Sequence, residues 1–252
     1  MICRSEGDIA VDAMRVRSPG RIKICRQAPT LMRRFECRAV LFDLDGVLVD
    51  STGFVEEQWR RWALGKGLSP EPFLRVCHGR RALETIQLAA PHLDAEAEVA
   101  AFVPEDGPEA GTMGPVAGAA RLLQRLPVGS WAVATSGPRD SAIARLRSAG
   151  LPLPSVLICA EDVIRGKPSP DVYLMAAAAL TASPSECLVL EDAPAGIQAA
   201  RAAGMRVIAL TTTHRIDELR ADACASSLAG VHVGRIDQGN HGPLIELLVL
   251  DR

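Results

Sequence analysis

Asp43 and Asp45 stand two residues apart in Phe42-Asp43-Leu44-Asp45-Gly46-Val47, directly after the apolar run Ala39-Phe42. The glycine that follows permits a tight turn, so both carboxylates leave the end of a buried strand. Other short apolar runs end in polar residues too. Trp131-Thr135 runs into Ser136-Gly137, Val156-Cys159 precedes Gly166-Lys167-Pro168, and Leu188-Leu190 runs straight into Glu191-Asp192. Open parallel sheets bind ligands just outside the carboxyl ends of their strands, so these groups converge on one place. Together they are a nucleophile, a neighbouring acid, a hydroxyl, a cation and further carboxylates, the inventory of metal-assisted phosphoryl chemistry. A carboxylate approaches a phosphate dianion only against strong repulsion in a poorly solvated site. An oxygen-ligated Mg²⁺ shared by Asp43, Asp192 and the phosphate would cancel that repulsion. Thr135, the N–H groups beside it and Lys167 would hold the remaining phosphate oxygens. The chain carries no Walker glycine loop, which excludes a P-loop nucleotidase.

The elements that must position these residues follow from the punctuation. Buried-strand runs at Ala39-Phe42, Trp131-Thr135, Val156-Cys159, Leu188-Leu190 and Val207-Leu210 alternate with helical stretches at Arg139-Ala149, Pro170-Leu180 and Pro194-Ala203. Alternation of this kind predicts an α/β core, a Rossmann-like parallel sheet with helices on both faces. Near-continuous apolar strands fit a sheet covered on both sides. Between the first strand and Trp131 the rhythm breaks. Helical stretches near Val55-Leu64, Arg81-Ala89 and Ala95-Phe102 fill an interval too long for a bare loop, so residues 53–114 are expected to be an inserted all-α domain. Ala117-Leu126 is the helix that returns to the core, which spans 37–52 and 115–252. The tail from Ala221 is weakly patterned, with Leu244-Leu250 readable as an edge strand or a short helix. Residues 1–36 are Arg-rich, lack a signal-peptide apolar segment and are expected to be a disordered extension, with Met32 a candidate start.

The chain has 252 residues, 48% of them apolar, and a formal charge of −2. That length and apolar content supply a sizeable core. The charge balance excludes nucleic-acid binding through bulk positive charge, and no apolar run approaches the length of a membrane span. Seven scattered cysteines without a CxxC pair read as free thiols of a reducing, cytoplasmic compartment. No long apolar stripe is left over, and a monomer is expected.

Asp43-Leu44-Asp45-Gly46-Val47-Leu48-Val49-Asp50-Ser51, then Thr135, Lys167 and Glu191-Asp192 in that order, resemble the haloacid dehalogenase superfamily. All four superfamily motifs are matched, across most of residues 39–210. The helical insertion resembles the mobile C1 cap of that superfamily. Val133-Ala134-Thr135-Ser136-Gly137-Pro138-Arg139-Asp140, His78-Gly79-Arg80-Arg81 and Glu191-Asp192-Ala193-Pro194-Ala195-Gly196-Ile197 are similar to the glycerol-phosphate and 2-deoxyglucose-6-phosphate phosphatases, although Pro138 stands where those often have Thr.

The resemblance implies that Asp43 is the nucleophile, forming an aspartyl-phosphate, and that Asp45 is the acid and base. The implied Mg²⁺ ligands are the Asp43 and Asp192 carboxylates and the Asp45 backbone carbonyl, with Glu191 in support. Thr135, Ser136 and Lys167 would bind phosphate, and His78, Gly79 and Arg80 would meet a small phosphomonoester of a sugar or polyol. His78-Gly79-Arg80 reads equally as a glycine turn with a solvated basic face. Trp59 and Trp62 are expected to pack within the cap. A phosphosugar mutase of the β-phosphoglucomutase kind shares core and cap class, and a catalytically silent binding protein on the same fold is the alternative of a different class.

Overall fold

The computed structural model describes residues 32–101, 113–239 and 242–250, to which every structural statement here refers. Strands are β1 (Met32–Cys37), β2 (Ala39–Phe42), β3 (Trp131–Ala134), β4 (Leu157–Ile158), β5 (Cys187–Glu191), β6 (Arg206–Leu210), β7 (Ala223–Ala225), β8 (Val231–Gly239) and β9 (Gly242–Leu250). Helices are α1 (Thr52–Gly65), α2 (Glu71–Leu74), α3 (Ala82–Ala89), α4 (Ala95–Ala101), α5 (Ala119–Arg125), α6 (Arg139–Ser148), α7 (Asp171–Ala179) and α8 (Pro194–Ala202).

A six-stranded parallel sheet in the order β4-β3-β2-β5-β6-β7 forms the core. Alternate residues feed opposite faces, as the two-residue strand period requires. Val40, Phe42, Val133, Leu188 and Leu190 pack on one side, and Leu41, Ala132, Ala134 and Val189 on the other. Burying a Val, Leu or Phe side chain contributes about 1.5–3 kcal/mol, so every position of these strands is apolar until the strand ends. The second face is covered by α7 and α8 through Val172, Tyr173, Ala176 and Ile197. The first face is covered by α5 and α6 and also by a second, antiparallel sheet ordered β1-β9-β8.

That second sheet departs from expectation. Leu244-Leu250 lies in β9, which is neither an edge strand nor a helix but the centre of three strands, burying Ile245, Leu247 and Val249 on alternate positions. Its partner β1 falls partly within the stretch 1–36 expected to be disordered. Over 32–36 the chain is paired strand, with Phe35 buried opposite Leu247; residues 1–31, including the rest of that expectation, lie outside the described residues.

Between β2 and β3 the chain is helical. The expected helices correspond to α1, α3 and α4, while Phe102 and the remainder of the segment to 112 lie outside the described residues. This insertion has its own apolar cluster of Trp59, Ala63, Phe73, Cys77, Ile86 and Ala90. Trp59 stacks on Phe73 at 5.7 Å between ring centroids, and Trp62 meets Phe73 edge-on at 5.2 Å, so the two tryptophans pack here as expected. No described helix is long and apolar enough to cross a membrane.

Candidate active site

The ends of β2, β3 and β5 are level, Phe42 pairing with both Val133 and Leu190. The chain leaves β2 at Asp43, β3 at Thr135 and β5 at Asp192, at the point where the strand order diverges to either side of β2. Such a switch point opens a crevice above the sheet.

Lys167 enters beneath this crevice and is fully buried. Its Nζ donates to Asp43 Oδ1 at 2.6 Å and to Glu191 Oε1 at 2.7 Å. Tyr173 Oη donates to the same Glu191 oxygen at 2.8 Å, and Glu191 Oε2 accepts the N–H groups of Asp192 and Ala193 at 2.9 and 3.1 Å. Glu191 is thereby satisfied on both oxygens. Asp192 is not: its Oδ2 is buried without a hydrogen-bond partner. A buried polar atom left this way is costly, and the geometry is built around it. Gly46 has φ +77°, and a Cβ there would lie 2.0 Å from Asp192 Oδ2; the turn thus needs glycine for its dihedral and for the space it leaves. Thr213 Oγ1 donates to the Asp192 carbonyl at 2.7 Å and Thr212 Oγ1 to the Gly46 carbonyl at 2.6 Å, bracing both halves of this cradle.

Asp43, Glu191 and Asp192 each bring a carboxylate oxygen within 4.8 Å of the others, with Lys167 the ammonium bonded into the cluster. Burial pushes the Asp43 carboxyl up to about 7, against the pull of Lys167 and with the push of Glu191 and Asp45. Burial, Glu191 and Asp43 hold Asp192 well above the usual range. Burial works against the Lys167 charge, but Asp43 and Glu191 outweigh it and hold the ammonium above its usual value. Excess buried negative charge, an orphaned carboxylate oxygen and an all-oxygen donor set fit a hard divalent cation.

Asp45 lies above the cluster. Its Oδ1 accepts from Ser51 Oγ at 2.6 Å and from Arg145 Nη1 at 2.8 Å, while Oδ2 lies beside Gly137. Arg145 is 5% exposed and packs over the Phe54 ring. Thr135 Oγ1 accepts the Gly137 N–H at 3.0 Å, which leaves its own proton free to donate elsewhere.

A cavity of about 760 Å³ opens over Asp43, Asp45 and Thr135, between core and insertion, within the range of small-molecule sites. His78, Gly79, Arg80 and Ser136 all line it, as do Gln58 and Trp59 from α1 and Asp140 and Glu161 from the core. Ser136 Oγ donates to the Gly79 carbonyl at 3.0 Å, so this hydroxyl ties core to insertion. Gly79 has φ +73°, and a Cβ there would come within 2.8 Å of Ala193 Cβ. His78 Nε2 meets Glu56 Oε1 at 3.2 Å, and its ring lies edge-on to His214 at 5.9 Å. Lys167 and Asp192 are not in the cavity wall; they sit below Asp43.

Sequence reasoning missed Arg145, Thr212 and Thr213. The threonines carried a signal, being polar residues directly after the apolar run Val207-Leu210. Arg139, unassigned from sequence, pairs with Asp162. The described cysteines are buried free thiols, and burial pushes Cys37, Cys77 and Cys159 up to about 12, far from thiolate chemistry.

A family model for haloacid dehalogenase-like hydrolases matches residues 37–204. Hexitol phosphatase A of Escherichia coli is 40% identical over 212 residues, covering 81% of this chain and 97% of its own length. Glycerol-1-phosphate phosphohydrolase 2 of Saccharomyces cerevisiae is 36% identical over 198 residues, covering 74% of this chain and 79% of its own. A solved hydrolase structure from Pseudomonas syringae matches with a TM-score of 0.66 at 26% identity, covering 76% of this chain and 94% of that one.

Proposed function

Because the chain belongs to the haloacid dehalogenase-like hydrolases, we propose that it is a Mg²⁺-dependent phosphatase that cleaves a small sugar or polyol phosphate through an aspartyl-phosphate on Asp43. The observation that carries this reading is the set of three buried carboxylates with an unpartnered Asp192 oxygen, lying under a cavity whose floor carries Asp43 and Asp45. Mg²⁺ held by Asp43, Asp192 and the Asp45 backbone carbonyl supplies, when bound, the positive charge that lets a carboxylate meet a phosphate dianion.

Asp43 attacks phosphorus, the bond to the alcohol oxygen breaks, and the departing oxygen takes a proton from Asp45. Water then attacks the phosphorylated Asp43 and yields its proton to Asp45, which releases inorganic phosphate and restores both carboxyl groups. Ser51 and Arg145 anchor Oδ1 of Asp45, so Oδ2 is the oxygen at which the proton moves. The Thr135 hydroxyl and the Ser136 N–H hold the phosphoryl oxygens as charge spreads over them. Lys167 acts from below, fixing Asp43 and offsetting the cluster's charge. His78, Gly79 and Arg80 meet the alcohol part of the substrate, for which Gln58, Asp140 and Glu161 offer hydroxyl partners.

The names of the two relatives support polyol phosphates as the substrate class. A mutase must also grip a second phosphate, and two of the cavity's cations are already engaged, Arg81 by Glu84 and Arg145 by Asp45. The test is phosphate release from glycerol 1-phosphate, a hexitol phosphate, 2-deoxyglucose 6-phosphate and β-glucose 1-phosphate, with Mg²⁺ or with EDTA. Mg²⁺-dependent release, strongest for one sugar or polyol phosphate, is the expected result. Conversion of β-glucose 1-phosphate to glucose 6-phosphate without release would replace the phosphatase by a mutase.

Metal binding has a signature independent of turnover. With the cation stripped, folded Asp43 holds its proton up to about pH 7, whereas the unfolded chain releases it near 3.9. The folded state therefore binds more protons across that interval, and its stability falls as pH rises through it. Mg²⁺ competes with those protons. Its stabilising effect should be several degrees of Tm larger at pH 8 than at pH 5, measured by thermal melts with Mg²⁺ and with EDTA. Equal shifts at both values would separate the cation from the Asp43 cluster.

A further inference from the structure

The proposed chemistry leaves unused a pair of side chains at the junction of cap and core. Arg81 directly precedes α3 and Glu84 lies in its first turn. Arg81 Nε donates to both Glu84 carboxylate oxygens, at 2.9 and 3.0 Å, and Nη2 donates to Oε1. The same guanidinium donates to the core carbonyls of Val163 at 3.0 Å, Ile164 at 3.1 Å and, more loosely, Ala160 at 3.4 Å. Glu84 Oε1 in turn accepts the Gly166 N–H at 3.2 Å. The pair is largely buried, its side chains 14% and 20% exposed. The loop is shaped to admit it: a Cβ on Gly166 would lie 2.6 Å from Arg81 Nε and 2.7 Å from Glu84 Oε1.

We infer that Arg81 and Glu84 are positioning residues, a latch that seats the cap on the 160–166 loop and so sets the place of Lys167, the next residue. A planar guanidinium suits this task because its fork of donors can satisfy a carboxylate and several carbonyls at once. An opened cap would give up the bonds to Val163, Ile164 and Gly166 together, which makes seating of the cap and order in the Lys167 loop one event. The latch rests on the phosphatase reading only for its kinetic consequence, not for its structural one.

Two measurements test it. Hydrogen exchange of the segment 160–167, in protein without substrate, should be faster in Arg81→Ala, Glu84→Gln and Gly166→Ala than in the parent. Steady-state kinetics should show a split between substrates. Nitrophenolate leaves without being protonated and depends little on a closed cap, whereas a polyol alkoxide needs Asp45 and the closed site. Arg81→Ala should lower kcat/KM for the best polyol phosphate of the panel about 10- to 100-fold, with only a several-fold fall for p-nitrophenyl phosphate, and Arg81→Lys should recover part of the loss. Unchanged exchange at 160–167, or equal losses on both substrates, would overturn the latch. Should the parent hydrolyse neither compound, the phosphatase reading fails and the exchange result still decides the latch.

Discussion

Asp43→Asn releases no measurable phosphate, a loss of about 10⁴-fold or more, yet melts no lower than the parent when both are stripped of metal. The two halves of this expectation share one cause. Asparagine matches aspartate in size, and its carbonyl oxygen still accepts the Lys167 ammonium that now bonds Asp43 Oδ1. It lacks the ionisable oxygen that bonds to phosphorus, so no aspartyl-phosphate forms. Removing that charge also relieves the cluster, in which burial, Glu191 and Asp45 already push the Asp43 carboxyl up to about 7. Residues kept for chemistry against the interests of the folded state are a familiar trade-off, and here the strain can be placed on one oxygen pair. The checks are phosphate release at millimolar substrate and thermal melts in EDTA at pH 8, where the parent's repulsion is greatest. Residual turnover at a few per cent of the parent would remove Asp43 as nucleophile; a melting point several degrees lower would show that its charge is needed for folding.

Why these carboxylates were legible in the sequence, and Arg145 was not, comes down to what local pattern can encode. A buried parallel strand tolerates no polar residue, so the first one after Ala39-Phe42 or Leu188-Leu190 marks the strand's carboxyl end, where an open sheet places its site. Asp43 and Glu191-Asp192 stand out on that ground, with Asp45 close behind; Lys167 lies further on, in the loop after Val156-Cys159, and stands out only through Gly166-Lys167-Pro168. Arg145 lies inside a helix beside Arg139 and Arg147, in a chain whose basic residues are nearly all arginine. Its one clue is spacing: Ala142, Arg145, Leu146 and Ala149 follow the three-and-four rhythm of a buried face, and all are buried. An arginine on that rhythm needs an anion inside, and Asp45 supplies it from 100 residues away. The antiparallel sheet failed for a related reason. β9 alternates in burial but not in sequence, where Leu244-Leu250 is apolar at every position but Glu246. Its partner β1 precedes it by some two hundred residues, and a strand's role as centre or edge is fixed by partners that local pattern does not name. The segment between β2 and β3 was legible as helical, from length and periodicity. How His78-Gly79-Arg80 sits over Asp43 and Asp45 depends on contacts between residues far apart in the chain, which no local spacing records.

Lys167→Met carries the second large effect, on folding as well as on turnover. The ammonium is fully buried and bonds two carboxylates at 2.6 and 2.7 Å; methionine fills similar space without the charge. Breaking a buried ion pair from one side costs about 3–5 kcal/mol, because the partner charge is left uncompensated. Here two partners are left, with Asp192 beside them. The sign with pH distinguishes this from a packing defect. Without Lys167, which now pulls the Asp43 and Asp192 carboxyls down against burial, those two carboxyls rise further above their unfolded values. They then stabilise the folded state below the unfolded pKa and lose that contribution as pH climbs through the folded one. In metal-free protein the deficit of Lys167→Met against the parent should therefore be smaller at pH 5 than at pH 8, read by urea denaturation at each. Adding Glu191→Gln removes one of the stranded charges. With the amide oxygen on the Asp192 and Ala193 N–H groups, the amide nitrogen can donate to the Tyr173 hydroxyl, so the double variant should be more stable than Lys167→Met alone, a non-additivity expected of groups in direct contact. A deficit independent of pH, and undiminished in the double variant, would mean that Lys167 holds this site together by shape and not by charge.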